Sequence, residues 1–128
     1  MGILAGEETV MVVEDSDDIR SLICTRLRKT GYRVVEAVNG REAVELAPRA
    51  RPGLILMDLS MPVMDGYEAT RRIRGSVETG DIPVVAVSAF CDTDHRRKAF
   101  EAGCVECLTK PVDFRALDGV IQKHLYVH

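Results

Sequence analysis

The sequence predicts an α/β domain, a doubly wound five-stranded parallel sheet built from (βα)5 units. Three observations carry that expectation. Five short apolar runs alternate with longer segments of helical spacing. Several of the runs are continuously apolar rather than alternating, which suits strands covered by helices on both faces. The chain has 128 residues and no low-complexity linker, so the units fill one domain.

The strands are expected at Val10–Val13, Val34–Ala37, Leu54–Met57, Val84–Val87 and Val105–Thr109. Ile19, Leu22, Ile23 and Leu27 recur at helical spacing after the first, Ser16 or Asp17 can cap that helix, and Gly31 stops it. Ala43, Val44 and Ala47 mark a second helix, which Pro48 should end early or kink. Tyr67–Arg74, His95–Ala102 and Phe114–Leu125 are the remaining helical segments, with Gly103 a natural cap after the fourth. Residues 1–8 read as a loose leader and 9–126 as the domain.

Composition narrows the function classes. Hydrophobic residues make up 46% and charged residues 29%, and 17 Lys and Arg stand against 20 Asp and Glu for a formal charge of -3. That balance argues against direct nucleic-acid binding, which rests on an excess of cationic side chains. No apolar run is long enough to span a membrane and the N-terminus lacks a secretory pattern, so a cytoplasmic location is expected.

In doubly wound sheets, ligands bind beyond the carboxyl ends of the strands. There the first run is followed by Glu14, Asp15, Ser16, Asp17 and Asp18, and the third by Asp58. The fourth ends on Ser88 and the fifth on Lys110-Pro111. Taken singly, each has a structural reading: a helix cap, a loop acid, a strand-end hydroxyl, a solvated charge. Taken together they place acids, a hydroxyl and an ammonium on one rim.

The order Glu14-Asp15, then Asp58-x-x-Met61-Pro62-x-Met64-Asp65-Gly66, then Ser88-Ala89, then Lys110-Pro111 resembles the receiver domain of two-component response regulators. The likeness runs from Thr9 to the last helix. Gly6-Glu7-Glu8-Thr9 also resembles receivers fused to hybrid sensor histidine kinases. The resemblance implies a flavodoxin-like fold of strand order 2-1-3-4-5. It also implies a phosphoryl group accepted on Asp58 from a phosphohistidine of a histidine kinase or histidine phosphotransfer protein, with no conventional enzymatic turnover.

The chemistry of the residues agrees. A carboxylate can attack phosphorus to give an acyl phosphate. Carboxylate and phosphoryl group are both anionic, so a hard divalent cation such as Mg²⁺ is needed between them. Asp15 and Asp58 can supply carboxylate oxygens, with Glu14 ligating directly or through water. The resemblance adds the backbone carbonyl of Ser60. Glu14 replaces the family's commoner Asp and is one methylene longer. Lys110 and Ser88 can offset charge on the phosphoryl oxygens, and the resemblance gives Pro111 a cis bond that orients the lysine. A flavin-type cofactor binder fits poorly, because the acidic loop at 14–18 would repel phosphate. An aspartate-nucleophile phosphatase would want D-x-D, and Asp58-Leu59-Ser60 lacks the second acid.

The cysteines stand at 24, 91, 104 and 107. Cys104-x-x-Cys107 enters the fifth strand instead of opening a helix, so it reads as a pair of free thiols with Cys91 the only further thiol nearby. Cys107 occupies the position, three before Lys110, where receivers usually carry a switching Tyr or Phe. The conformational response is therefore expected to shift to residues 88–93, with Phe90 taking part, or to be replaced by simple phosphoryl relay.

Overall fold

A computed structural model describes residues 8–125. Its elements are β1 (Thr9–Val13), α1 (Asp17–Lys29), β2 (Arg33–Ala37), α2 (Gly40–Ala50), β3 (Leu54–Asp58), α3 (Gly66–Arg74), β4 (Val84–Ser88), α4 (Thr93–Ala102), β5 (Glu106–Thr109) and α5 (Phe114–Leu125). The strands form one parallel sheet in the order β2-β1-β3-β4-β5, the expected fold and strand order.

Alternate residues of the central strands feed two cores. Val10 and Val12, Leu54 and Leu56, and Val85 and Val87 pack with Ile23 and Leu27 of α1 and with Leu117 and Ile121 of α5. Met11 and Val13, Ile55 and Met57, and Val84 and Ala86 face Ala43 and Ala47 of α2, Ala69 and Ile73 of α3, and Ala99 of α4. Each aliphatic side chain so buried contributes ~1.5–3 kcal/mol against exposure. This two-sided burial explains why β3 and β4 read as unbroken apolar runs. It also fixes register, since a slip of one residue would exchange the two cores.

Side-chain oxygens cap four helices. Ser16 accepts from the Ile19 amide, Asn39 from Glu42, Asp65 from Glu68 and Asp92 from His95. The expected stop at Pro48 does not occur, and α2 continues to Ala50 and closes on Arg51 in the left-handed region. Pro48 lies in the last turn, where its missing amide removes one hydrogen bond from a helix already seated through Ala43 and Ala47. Residues 1–7 and 126–128 lie outside the described part, and with them most of the expected leader. Glu8 is already built into the fold: it is buried, and its carbonyl accepts from the Arg33 amide at 2.8 Å. No helix among the described residues is long and apolar enough to cross a membrane.

Gly66 brings the start of α3 close against the end of β3. A Cβ there would press on the carbonyl of Asp58 and the Cα of Leu59. Replacing a helical glycine by alanine ordinarily stabilises a protein by restricting the unfolded chain. Here overpacking reverses the sign, and Gly66→Ala should cost about 1–3 kcal/mol. A lower urea midpoint at unchanged m value will show it; an unchanged or raised midpoint would contradict the packing.

Candidate functional site

Parallel strands end on one edge, and the strand order sets which ends are neighbours. β1 and β3 are adjacent, with Val13 beside Met57, so Glu14 and Asp15 emerge next to Asp58. β4 follows β3, with Asp58 opposite Val87, and β5 follows β4, with Ser88 opposite Thr109. Lys110 leaves the sheet one residue later, its amide donating to the Ser88 carbonyl at 2.8 Å. The Lys110–Pro111 peptide is cis.

The side chains meet as charges. Glu14 and Asp58 are almost wholly buried, at 2% and 3% exposure, and Asp15 is exposed. Oxygens of Glu14, Asp15 and Asp58 all lie within 4.8 Å of one another. The Lys110 ammonium donates to Glu14 Oε1 at 2.9 Å and sits 3.2 Å from Asp58 Oδ2. Glu14 Oε2 accepts from the Ser16 amide at 3.0 Å, and Asp58 Oδ1 accepts from the Ser60 amide at 3.0 Å. Burial pushes the Glu14 carboxyl above its ordinary pKa, with the Asp58 charge adding and Lys110 and the Ser16 amide opposing. For Lys110, burial acts to lower the pKa, but the neighbouring carboxylates of Glu14 and Asp58 outweigh it and the net direction is upward.

Ser88 is buried and its Oγ accepts from the Phe90 amide at 3.0 Å. Ser88 lines a groove with Leu59, Ser60, Met61, Tyr67, Phe90 and His95. The site residues named from the sequence thus converge on one rim, with Ser60 at its exposed edge.

Two contributors were not foreseen. Arg20 lies on α1, and its side chain is only 14% exposed. It donates to the Glu14 carbonyl at 2.9 Å while pairing with Asp17 and Glu36, so it ties down the loop that carries two of the acids. His95 stacks on Phe90 with ring centroids 5.4 Å apart and lines the groove. Its place in the first turn after β4 was the available signal. Val63 has φ 73, with Met64 N–H donating to the Pro62 carbonyl at 2.9 Å. A β-branched residue there carries strain, and the tight turn brings Asp65 back to cap α3.

The free-thiol reading of Cys107 is corrected. Cys91, in the loop after β4, and Cys107, on β5, are joined by a disulfide, with Cα atoms 6.4 Å apart. The adjacency of β4 and β5 brings together positions 16 apart in sequence. Cys104, just before β5, faces Thr70 of α3 instead and is a free buried thiol, as is Cys24.

Known proteins resemble the chain over nearly its whole length. Residues 10–122 match the family described as the response regulator receiver domain. The polar-differentiation response regulator DivK of Brucella anthropi is 33% identical over 92% of this chain and 96% of its own. The chain spans about half, 48%, of the probable transcriptional regulator ycf27 of Porphyridium aerugineum, at 32% identity over 93% of this chain. Among solved structures, the receiver domain of sensor histidine kinase PA1611 from Pseudomonas aeruginosa, with a magnesium ion coordinated in its active site cleft, superposes with TM-score 0.87. The two are 34% identical, over 94% of this chain and 98% of that one. The receiver domain of Ssk1 from Saccharomyces cerevisiae, solved with the histidine phosphotransfer protein Ypd1, gives TM-score 0.89 at 30% identity, over 97% and 92% of the two chains. The chain belongs to the response regulator receiver domain family.

Proposed function

We propose that this receiver accepts a phosphoryl group on Asp58 from a phosphohistidine of a histidine kinase or histidine phosphotransfer protein, in the cytoplasm. The observation that carries the proposal is the Lys110 ammonium between two buried carboxylates, 3.2 Å from Asp58 Oδ2. An Asp58 oxygen attacks phosphorus, the P–N bond breaks, and the imidazole keeps the electron pair and takes up a proton. Phosphoryl transfer asks mainly for position and charge neutralisation. Lys110 supplies a cation on the sheet side and Ser88 a hydroxyl from the neighbouring strand end, while Pro111 orients the turn that carries Lys110. The group is held as an acyl phosphate, so the protein acts as a signalling acceptor whose phosphorylation and dephosphorylation it promotes itself.

Three carboxylates against one ammonium leave two negative charges at the rim. This all-oxygen donor set fits a small hard divalent ion. Glu14, Asp15 and Asp58, with the backbone carbonyl of Ser60, would hold Mg²⁺, which when bound offsets the charge of nucleophile and phosphoryl group. The magnesium in the PA1611 cleft supports this reading, and the complex of the Ssk1 receiver with Ypd1 supports the partner class.

Intact mass after incubation with acetyl phosphate and Mg²⁺ tests the acceptor. Wild type should gain one phosphoryl group and Asp58→Asn none; a full adduct on the variant would move the acceptor elsewhere.

Metal linkage gives a second test. At free Mg²⁺ near one hundred times its dissociation constant, wild type should gain about 2.7 kcal/mol, read as a raised thermal midpoint. Asp15→Asn should gain far less, and equal shifts would exclude the site. The sign with pH follows from Glu14. A carboxyl whose pKa is raised in the fold favours its protonated form. Its contribution to the metal-free protein fades as pH rises through that pKa, and binding of a cation, which needs the carboxylate, weakens as pH falls toward it. The Mg²⁺-induced shift should therefore be smaller at about pH 5 than at neutrality.

A further inference from the structure

We propose that Cys91 and Cys107 form a reversible redox site, a dithiol oxidised to a disulfide that restrains the phosphoryl-facing loop after β4. The proposal rests on the phosphoacceptor reading for its consequence and on the cysteine geometry for its chemistry.

The bond links the two strand ends that carry the phosphoryl-facing side chains. Cys91 lies three residues after Ser88, and Cys107 lies three residues before Lys110. Between them the bond closes a ring containing the whole of α4, Thr93–Ala102. With the sulfurs apart, the short connection from Ser88 to α4 is held by the Phe90 amide on Ser88 Oγ and by the Asp92 cap. With the sulfurs joined, it is fastened covalently to β5, whose Cys107 pairs with Ala86 inside the sheet. Any adjustment that carries the Ser88 hydroxyl toward a phosphoryl group on Asp58 must then move against that tether.

The four cysteines differ in access. Burial pushes the thiols of Cys24 and Cys104 up to about 11, so neither supplies appreciable thiolate at neutral pH. Cys91 is only partly buried and lines an open groove with Arg96, Arg97 and Phe100. The same groove carries Asp92 and Glu101. Arg97 pairs with Asp94 and Glu101, and Arg96 shares the groove, so Cys91 opens onto a polar, solvent-reached surface and not into a core. Cys107, 7% exposed, lies beneath as the resolving thiol. In a reducing cytoplasm a disulfide is usually transient and redox-sensing.

The oxidant is hydrogen peroxide. The Cys91 thiolate attacks one peroxide oxygen, the O–O bond breaks, and the departing hydroxide takes a proton to leave as water, giving a sulfenic acid. The Cys107 sulfur then attacks the Cys91 sulfur, the S–O bond breaks, and the thiol proton leaves with hydroxide as a second water. Two thiols lose two electrons and the peroxide is reduced. A small dithiol reverses the process by exchange, becoming a disulfide itself.

The full chain, treated with hydrogen peroxide or with dithiothreitol and then alkylated under denaturing conditions, tests the chemistry. Of its four cysteines, two should be alkylated after oxidation and all four after reduction. Peptide mapping should place the link between Cys91 and Cys107; a link at Cys104, or no link, overturns the proposal. Hydrogen exchange at residues 88–93 should be slower in the oxidised protein, and uptake from acetyl phosphate slower by roughly threefold or more, because a loop must reorganise. Cys91→Ser should show the fast exchange and uptake of the reduced protein under both treatments. Equal exchange and equal uptake in the two redox states would overturn the restraint. Absence of any phosphoryl adduct in both states would instead overturn the acceptor reading, while thiol count and exchange would still decide the redox site.

Discussion

Two carboxylates buried side by side cannot both stay ionised without a cation between them, and Lys110 supplies it from the far end of the sheet. Glu14 and Asp58 leave adjacent strands, so their closeness follows from the order of β1 and β3 alone. Lys110 comes from β5, two strands from β3, and reaches them only because β4 is as long as β3 and the chain turns inward at Pro111. The desolvation cost of such a cluster is repaid only by good geometry and by hydrogen bonds to the remaining lone pairs. Those bonds are present: the Ser16 and Ser60 amides hold the outer oxygens of Glu14 and Asp58. The cluster therefore locks three strand ends together, and much of the surrounding structure serves to keep those ends in place.

The same placement leaves the rim unbalanced in charge. An acid fully satisfied by neighbours would be a structural ion pair and nothing more. Here one ammonium is shared by two carboxylates, and the third acid, Asp15, is exposed beside them. The excess negative charge is a standing demand for a second cation, and the groove of Tyr67, Ser88, Phe90 and His95 opens beside Leu59 and Ser60, the two residues that follow Asp58. The buried pair Glu14 and Asp58 is thus flanked by the exposed Asp15 and Ser60, so the cluster sits at the solvent edge of the sheet.

What the sequence revealed followed from short-range physics. Apolar runs such as Leu54–Met57 and Val84–Val87 are unbroken because helices cover both faces, and that continuity was visible directly. Helix starts were legible where a Ser or Asp precedes an apolar periodicity, as at Ser16. The convergence of Glu14, Asp15, Asp58, Ser88 and Lys110 was legible because doubly wound sheets gather their strand ends on one rim. What escaped depended on packing across the fold. Pro48 was read as ending the helix early or kinking it, because a single residue cannot show that the neighbouring Ala43 and Ala47 already anchor the turn. Arg20 was not singled out because its partner Glu36 is brought near only by the β1–β2 pairing.

The cysteines show that limit most directly. The spacing of Cys104 and Cys107 invited a local reading, yet a strand separates residues three apart in sequence by roughly 10 Å. The side chains of such residues also point to opposite faces of an ideal strand. Cys104 escapes that alternation only because it precedes β5, and it turns to Thr70 of α3. Cys107 meets Cys91 because β4 and β5 are neighbours and the chain bends back into α4 immediately after Ser88. An aromatic ring at position 107 would fill the space beneath α4 with surface, whereas the cysteine fills it with a bond. The fold thus joins the β4–α4 loop to β5 through a covalent bond, where a ring would join them through packing alone.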